Sequence, residues 1–271
     1  MNSTIETVAS ADGTPIAFER TGRGTPVILI GGAFNDRSTV AALAGALAPH
    51  VTAVIYDRRG RGDSGGSGPG DGGGDGIVER EVEDLAAVIG RVGGKAGLFG
   101  HSSGAVLALE AAMRGMSVGR LAVYEPSYIP AGSRPRPAAD LLGRITALVS
   151  EGRRDDAAVL FLTESVGLPA AAVDGMRASE MWGWFAGLAH TLPADVAVCG
   201  PGAALPADRL AAIQVPTLAI DGGESWDWIR AATCAVASAI PGARYVTIEG
   251  QDHGVLHQPE ALLPLLAGFY A

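Results

Sequence analysis

The chain has 271 residues, of which 48% are hydrophobic and 18% are charged, and its formal net charge is −9 at pH 7. A chain of this length and composition has enough apolar material for a sizeable core. The acidic balance argues against nucleic acid or an anionic membrane surface as the main partner.

The N-terminal segment, the length of the apolar runs and the cysteines indicate the cellular compartment. The N-terminus "MNSTIETVAS" has neither a basic start nor an apolar stretch, so we expect no signal peptide. No apolar run approaches the roughly 18 residues of a membrane helix. Cys199 and Cys234 make no disulfide framework, which favours a reducing compartment. We expect a cytoplasmic monomer or homodimer that acts on a small molecule, with neither nucleic acid nor a membrane as partner.

Apolar and amphipathic segments alternate along the first half of the chain. The run "PVILIGG" is continuous and closed by glycines, as is typical of a strand buried on both faces. A glycine-rich loop is expected over 60–76. The patterns predict strands at 16–20, 27–30, 51–57, 96–100 and 120–125, and helices at 39–48, 78–92 and 103–116.

The alternation breaks after residue 125. Residues 126–210 contain helical stretches but no convincing strand. Strands at 215–223 and 243–250 and helices at 226–240 and 259–270 then resume the pattern. Strands that alternate with helices indicate βαβ units and a parallel sheet. We predict a sheet domain made of residues 1–126 and 212–271, with a mainly helical insertion at 127–211.

A candidate nucleophile lies between a predicted strand and a predicted helix. Gly100-His101-Ser102-Ser103-Gly104 has the form G-x-S-x-G. A serine at such a tight turn has a strained backbone, and the residues two before and two after it must be small. This register makes Ser102 the central serine. The backbone N–H of Ser103, at the start of the helix, is expected to point at a developing oxyanion.

Together with three other motifs, this segment resembles the α/β-hydrolase family over nearly the whole chain. "ILIGGAF" resembles the oxyanion strand and loop, with Gly31-Gly32 where His-Gly is usual. "YDRRGRGDSG" resembles the D-x-R-G-x-G-x-S loop, and "GQDHG" resembles the histidine loop. The resemblance implies an α/β fold with a mostly parallel central sheet flanked by helices. It also implies a helical cap, residues 127–211, inserted after the sixth strand.

A serine hydroxyl needs an adjacent base to attack a carbonyl at neutral pH. His253 lies late in the chain, after a strand and before a helix, where the order Ser…acid…His places the base. His101 is expected to pack beside the turn, and His50 and His190 have no supporting context.

The acid of the predicted triad is open at this stage. In "LAIDGGESWDW", Ser225 stands where the family usually has its Asp, and a serine cannot carry the charge that stabilises an imidazolium. Glu224 and Asp227 are near but out of register. Haloalkane dehalogenases and zearalenone lactonases of this family take their acid from the end of the sixth strand, where Glu125 stands here. We favour Glu125, with Glu224 or Asp227 as alternatives.

The resemblance also suggests how the oxyanion and the substrate are bound. The loop after "ILIGG" is expected to supply a second oxyanion N–H, from Ala33 or Phe34, and the family pattern favours Ala33. Gly32 and Phe34 are expected to face the substrate. The insertion carries "SEMWGWFAGLAHTL", whose aromatic residues either pack the cap on the sheet or form a substrate wall with a free indole N–H. The expected substrate-binding residues of the cap and the late loop are Trp182, Trp184, Phe185 and Trp226.

Metal and cofactor sites are not expected. His257 follows His253 by four residues, but no H-E-x-x-H motif and no third ligand accompany them. Gly60, Gly62 and Gly65 match the spacing of a dinucleotide fingerprint, but further glycines follow and no helix opens at the third glycine.

The sequence therefore predicts a serine hydrolase. Its substrate is expected to be a carboxylic ester or lactone, uncharged and moderately large, cleaved through Ser102, His253 and Glu125. The cap and the position of the acid resemble zearalenone lactonases over a few residues. The alternative is a protein of the same fold with a non-hydrolytic biosynthetic or ligand-binding role.

Overall fold

The computed structural model describes residues 4–66 and 76–271, so residues 67–75 of the predicted glycine-rich loop lie outside the described residues. The strands are β1 (Glu6–Ala9), β2 (Pro15–Gly22), β3 (Pro26–Ile30), β4 (Thr52–Tyr56), β5 (Ala96–His101), β6 (Val118–Tyr124), β7 (Thr217–Gly222) and β8 (Arg244–Ile248). They form one sheet in the order β1-β2-β4-β3-β5-β6-β7-β8. The pairs β1–β2 and β2–β4 are antiparallel, and every other pair is parallel. The predicted, mostly parallel sheet is confirmed.

Helices cover both faces of the sheet. They are α1 (Ala41–Leu47), α2 (Ile77–Arg91), α3 (Ser103–Met113), α4 (Leu141–Ser150), α5 (Arg154–Leu160), α6 (Ala170–Arg177), α7 (Trp182–Leu188), α8 (Leu192–Cys199), α9 (Ala207–Leu210), α10 (Asp227–Ala239) and α11 (Pro259–Tyr270). Apolar residues of α2, α3 and α10 form a core with one face of the sheet, and those of α1 and α11 form a second core with the other. None of the helices described is long and apolar enough to cross a membrane.

Strand β1 was not predicted from the sequence. Its four residues, "ETVA", alternate between partly buried and exposed positions, and it pairs with β2 alone at the edge of the sheet. Such a short run carries little periodicity. Pairing with β2, rather than a local preference, therefore decides that this segment is a strand.

Helices α4 to α9 occupy the stretch between β6 and β7, where the sequence predicts a helical insertion. Apolar side chains from α4 to α8 form a third core, separate from the two sheet cores, and Phe34 belongs to it. The loop after β3 therefore packs against the inserted helices.

The order of the strands brings three strand ends together. Strand β3 lies between β4 and β5, so the direction of the chain across the sheet reverses beside β5. In such sheets, ligands bind at the carboxyl ends of the strands next to this reversal. Ile30 pairs with Gly100, and His101 pairs with Tyr124. The residues that follow β3, β5 and β6 therefore begin side by side.

Two helical glycines provide a matched test of packing at this edge. A Cβ on Gly104 would lie 2.4 Å from the carbonyl oxygen of Ile30 and 2.5 Å from that of Gly31, whereas a Cβ on Gly143 would meet nothing within 4 Å. We expect Gly104→Ala to lower the free energy of unfolding by about 1–3 kcal/mol, because backbone atoms must move. Gly143→Ala should raise it by up to about 1 kcal/mol through helix propensity. Urea unfolding measures both, and an unchanged stability of Gly104→Ala would contradict this account.

Candidate active site

Ser102 lies at the turn between β5 and α3. Its backbone has φ 58° and ψ −123°, a left-handed conformation that non-glycine residues seldom adopt. A Cβ on Gly100 would lie 2.4 Å from the carbonyl oxygen of Gly104 and 2.5 Å from Cα of Ala105. The glycines on both sides of Ser102 therefore allow the strand and the helix to meet closely enough to make the turn.

The side chain of Ser102 is bonded to a residue that the sequence analysis did not identify. The Oγ atoms of Ser102 and Ser127 are 3.0 Å apart. Within the described part of the chain, this hydroxyl is bonded to Ser127 rather than to an imidazole. Ser127 comes two residues after Glu125, at the end of β6, and this closeness to a candidate acid is the signal that could have found it.

His253 and Glu125 form a pair at the neighbouring strand end. Nδ1 of His253 is 2.6 Å from Oε2 of Glu125, and Oε1 of Glu125 accepts a hydrogen bond of 2.9 Å from the backbone N–H of Gly222. The carboxylate is fully buried. An ionised carboxylate only accepts hydrogen bonds, so Nδ1 carries a proton, and in the neutral imidazole Nε2 then keeps its electron pair.

The surroundings keep the Glu125 carboxyl ionised. Burial by itself raises the pKa of Glu125, but the hydrogen bond and charge of His253, with contributions from Ser225 and the Gly222 N–H, lower it overall. Glu224 and Asp227, the alternative acids, are exposed. The structure therefore brings Glu125, and neither of the alternatives, to the histidine.

His101 supports the backbone of His253. Its Nε2 lies 2.9 Å from the carbonyl oxygen of His253, so this nitrogen carries the proton. Its Nδ1 is buried without a hydrogen-bond partner among the described residues. Burial, with a smaller effect of His253, lowers the pKa of His101 to about 3. His101 packs beside the turn, as predicted.

The loop after β3 lies directly over Ser102. A Cβ on Gly32 would come within 2.8 Å of the Ser102 Cβ. Asn35 ties the loop to itself, because its Oδ1 accepts from the Gly32 N–H at 3.2 Å and its Nδ2 donates to the Ala33 carbonyl at 3.1 Å. Phe34 has a left-handed backbone, with φ 57°. This places Ala33 and Phe34 beside the candidate nucleophile.

A cluster of buried charges lies behind the turn. The Asp195 carboxylate of α8 is bonded to Arg61, to Arg58 and to the hydroxyl of Ser103, and Arg58 also pairs with Glu81. The sequence analysis missed Asp195. Its signal is that it is the only charged residue in the apolar segment "LPADVAVC", since a lone acid on a buried helix requires a partner.

A cavity of about 850 Å³ opens above Ser102 and His253. Its wall is largely apolar, and within the described residues no arginine or lysine contributes to it. The aromatic residues that line it are Phe34, Phe161, Trp184, Phe185, Trp226 and Trp228.

Two predicted substrate-binding residues lie away from the cavity wall, and one indole is already bonded. Trp182 packs inside the cap, where its indole N–H donates to Asp155, and Gly32 lies against the Ser102 side chain and the His101 carbonyl. Trp184 lines the cavity, but its Nε1 donates to the Phe34 carbonyl at 2.7 Å. The expectation of a free indole N–H is therefore wrong for Trp182 and Trp184, because Asp155 of the cap accepts from the first and the loop after β3 accepts from the second.

Groups that could take a metal ion are not gathered anywhere in the described part of the chain. His253 and His257 both line the cavity, without a third ligand beside them. Cys199 and Cys234 are both free thiols.

The chain belongs to the alpha/beta hydrolase family, which its sequence matches over residues 27–265. An alpha/beta hydrolase from Sphaerobacter thermophilus DSM 20745 is 50% identical, with a TM-score of 0.89 over 98% of this chain and 100% of that one. An esterase from Thermogutta terrifontis (21% identity, TM-score 0.71, all of both chains) shares the fold. So does an enol-lactonase from Burkholderia xenovorans LB400 (20% identity, TM-score 0.71, 97% of this chain and 98% of that one). No curated protein matches the chain significantly.

The buried neutral imidazole of His101 predicts a loss of stability in acid. Because its pKa is lowered from 6.5 to about 3 in the folded protein, the unfolded chain binds an extra proton as the pH falls below 6.5. We expect this group to reduce the free energy of unfolding by about 1.4 kcal/mol per pH unit over that range. His101→Gln should lack this slope in urea unfolding, whereas His50→Gln, at an exposed histidine, should keep it. Parallel profiles for wild type and His101→Gln would contradict the assignment.

Proposed function

We propose that this alpha/beta hydrolase cleaves a carboxylic ester or a lactone through Ser102, His253 and Glu125. The observation that carries the proposal is the buried Glu125 carboxylate bonded to Nδ1 of His253 at 2.6 Å, beside a serine on a strained strand-to-helix turn. In this pairing the neutral imidazole of His253 carries its proton on Nδ1, so its Nε2 can act as the general base.

The proposed first step is acylation. The hydroxyl of Ser102 rotates from Ser127 toward His253, which removes its proton through Nε2 as Oγ attacks the substrate carbonyl. Glu125 holds the ring and stabilises the imidazolium. The backbone N–H groups of Ser103 and Ala33 stabilise the negative oxygen of the tetrahedral intermediate.

The second half of the reaction releases both products. The imidazolium of His253 donates its proton to the leaving alkoxide, and the carbonyl re-forms as an ester of Ser102. His253 then removes a proton from water, which attacks this acyl-enzyme. Collapse of the second intermediate returns the proton to Ser102 and frees the acid. With a lactone, both products are parts of one hydroxy acid.

The cavity supports an uncharged substrate of moderate size. Its wall is largely apolar, no arginine or lysine of the described residues lines it, and the Asp195 carboxylate is among its lining groups. A substrate carboxylate would lose its hydration there without gaining a counter-ion, which is costly. Bound ligands bury most of their surface in cavities of this size. The folds shared with an esterase and an enol-lactonase are compatible with either ester type.

Covalent labelling tests the nucleophile and the substrate class together. We expect a fluorophosphonate to label the folded protein stoichiometrically at Ser102, and Ser102→Ala to abolish both labelling and ester hydrolysis. A neutral aryl ester should have a kcat/KM at least about tenfold above that of an analogue with a carboxylate on its acyl chain. Absence of labelling in folded wild-type protein would contradict the hydrolase proposal and support the non-hydrolytic alternative.

Substitution of the acid tests its position. We expect Glu125→Gln to reduce kcat by about 10³–10⁴, because the amide neither stabilises the imidazolium nor selects the correct tautomer. Glu224→Gln and Asp227→Asn, at the exposed neighbouring carboxyls, are the matched controls and should stay within about twofold of wild type. A large loss in either control together with an active Glu125→Gln would move the acid to the loop after β7.

A further inference from the structure

The carbonyl groups on both sides of Ala33 are held by three hydrogen bonds from outside the loop. Nη1 of Arg61 donates to the carbonyls of Gly32 (2.6 Å) and Asn35 (2.9 Å). Nε1 of Trp184 donates to the carbonyl of Phe34 (2.7 Å). The direction of an N–H in a short loop is set by the peptide planes around it. Because the Gly32 carbonyl and the Ala33 N–H belong to the same peptide plane, the bond from Arg61 fixes the direction in which the Ala33 N–H points.

Arg61 is itself held by the inserted helix α8. Its Nη2 donates to both carboxylate oxygens of Asp195, at 2.9 and 2.8 Å. The two side chains are almost completely buried, so a solvent molecule cannot easily replace either partner. Both bonds come from Nη2, so they fix the position of one end of the guanidinium. The two bonds from Nη1 to the loop carbonyls then set its orientation.

The same carboxylate reaches the start of α3. Ser103 Oγ donates to Asp195 Oδ1 at 2.7 Å, and the backbone N–H of Ser103 is the other proposed oxyanion donor. Both donors of the proposed oxyanion hole are thus tied to Asp195, one through its own side chain and the other through Arg61.

We propose that Asp195, a residue of the inserted helices, is the positioning residue of the oxyanion hole and sets the two backbone N–H groups at the distance the reacting oxygen requires. The inference rests on the proposed function. Asp195 lies at the cavity edge, but its oxygens are engaged by Arg58, Arg61 and Ser103, so it acts through these residues rather than on the substrate.

The charges in the cluster explain why the carboxylate stays ionised where it is. Burial raises the pKa of Asp195, but the positive charges of Arg61 and Arg58, together with the Ser103 hydroxyl, lower it overall. Glu81 pairs with Arg58 and balances the charge of this second arginine. Two guanidinium groups therefore face two carboxylates. Loss of the Asp195 charge would leave the arginines unbalanced in a buried site, and Arg61 would be free to move.

A purely structural ion pair between the insertion and the sheet is the competing explanation. It predicts that replacement of Asp195 changes stability, with catalysis reduced only as far as folded protein is lost. A positioning role predicts a selective loss of transition-state stabilisation instead. The kcat of the fully folded fraction and the affinity for a tetrahedral adduct separate the two.

The test compares Asp195→Asn and Ser103→Ala with Asp155→Asn. Asp155 is a carboxylate of the inserted helices that accepts from the Trp182 indole and, among the described residues, makes no hydrogen bond to the loop, so it serves as the control. Hydrolysis of a neutral aryl ester gives kcat and KM, an arylboronic acid probes the tetrahedral adduct, and the product acid probes ground-state binding. Circular dichroism and active-site labelling give the folded fraction.

For Asp195→Asn we expect kcat to fall by about 10²–10³, the size seen when one oxyanion donor is lost, with KM changed less than about threefold. The inhibition constant of the boronic acid should rise by a similar factor, while product binding and Asp155→Asn stay near wild type. Ser103→Ala removes the hydrogen bond from the Ser103 hydroxyl to Asp195 and should lower kcat and boronate affinity together by about tenfold. This variant keeps the test decisive if Asp195→Asn fails to fold.

Two outcomes overturn different claims. If wild-type protein is labelled and hydrolyses the ester, but the folded Asp195→Asn or Ser103→Ala keeps normal kcat and boronate affinity, the positioning role is wrong. If wild type is neither labelled nor active, the proposed function is wrong.

Discussion

The left-handed backbone of Phe34, Ser102 and Glu125 is the constraint on which the candidate site depends. Their φ angles are 57°, 58° and 48°, and each such residue costs of the order of 1–3 kcal/mol. The three residues follow three neighbouring parallel strands, β3, β5 and β6. A strained residue persists only where its surroundings fix its conformation. Here the register of the sheet and the close packing at Gly100 and Gly104 fix it.

Polar contacts also hold the segments around Phe34, Ser102 and Glu125 in position. The Glu125 carboxylate is hydrogen-bonded to Gly222 and His253. The hydroxyl of Ser103, the residue after Ser102, donates to Asp195. The Phe34 carbonyl accepts from Trp184. Two of these contacts come from the inserted helices. The insertion therefore does more than cover the cavity, because it takes part in fixing the loop and the turn beneath it.

The position of the acid shows where sequence patterns stop being decisive. Glu224 and Asp227 lie beside Ser225, which stands where the family usually has its acid, whereas Glu125 lies at the end of β6, much earlier in the chain. Only packing separates them, because Glu125 is enclosed next to His253 and receives a backbone N–H. Ser225 lies beside that carboxylate, where it contributes to lowering the pKa of Glu125. The position of a carboxyl along the chain does not show whether it is buried, and burial decides which carboxylate pairs with His253.

The sequence by itself determined the alternation of strands and helices, the helical stretch between β6 and β7, and the G-x-S-x-G turn. All three depend on local periodicity or on steric rules within a few residues. The short edge strand β1 depends on pairing with β2, and so it escaped prediction. Tertiary structure alone decided the pairing of Glu125 with His253, the contact between Ser102 and Ser127, and the bonded state of the Trp182 and Trp184 indoles. It also decided that Asp195 meets Arg61, 134 residues away along the chain. Such contacts join distant segments through directional hydrogen bonds in a buried space, and no local pattern encodes them.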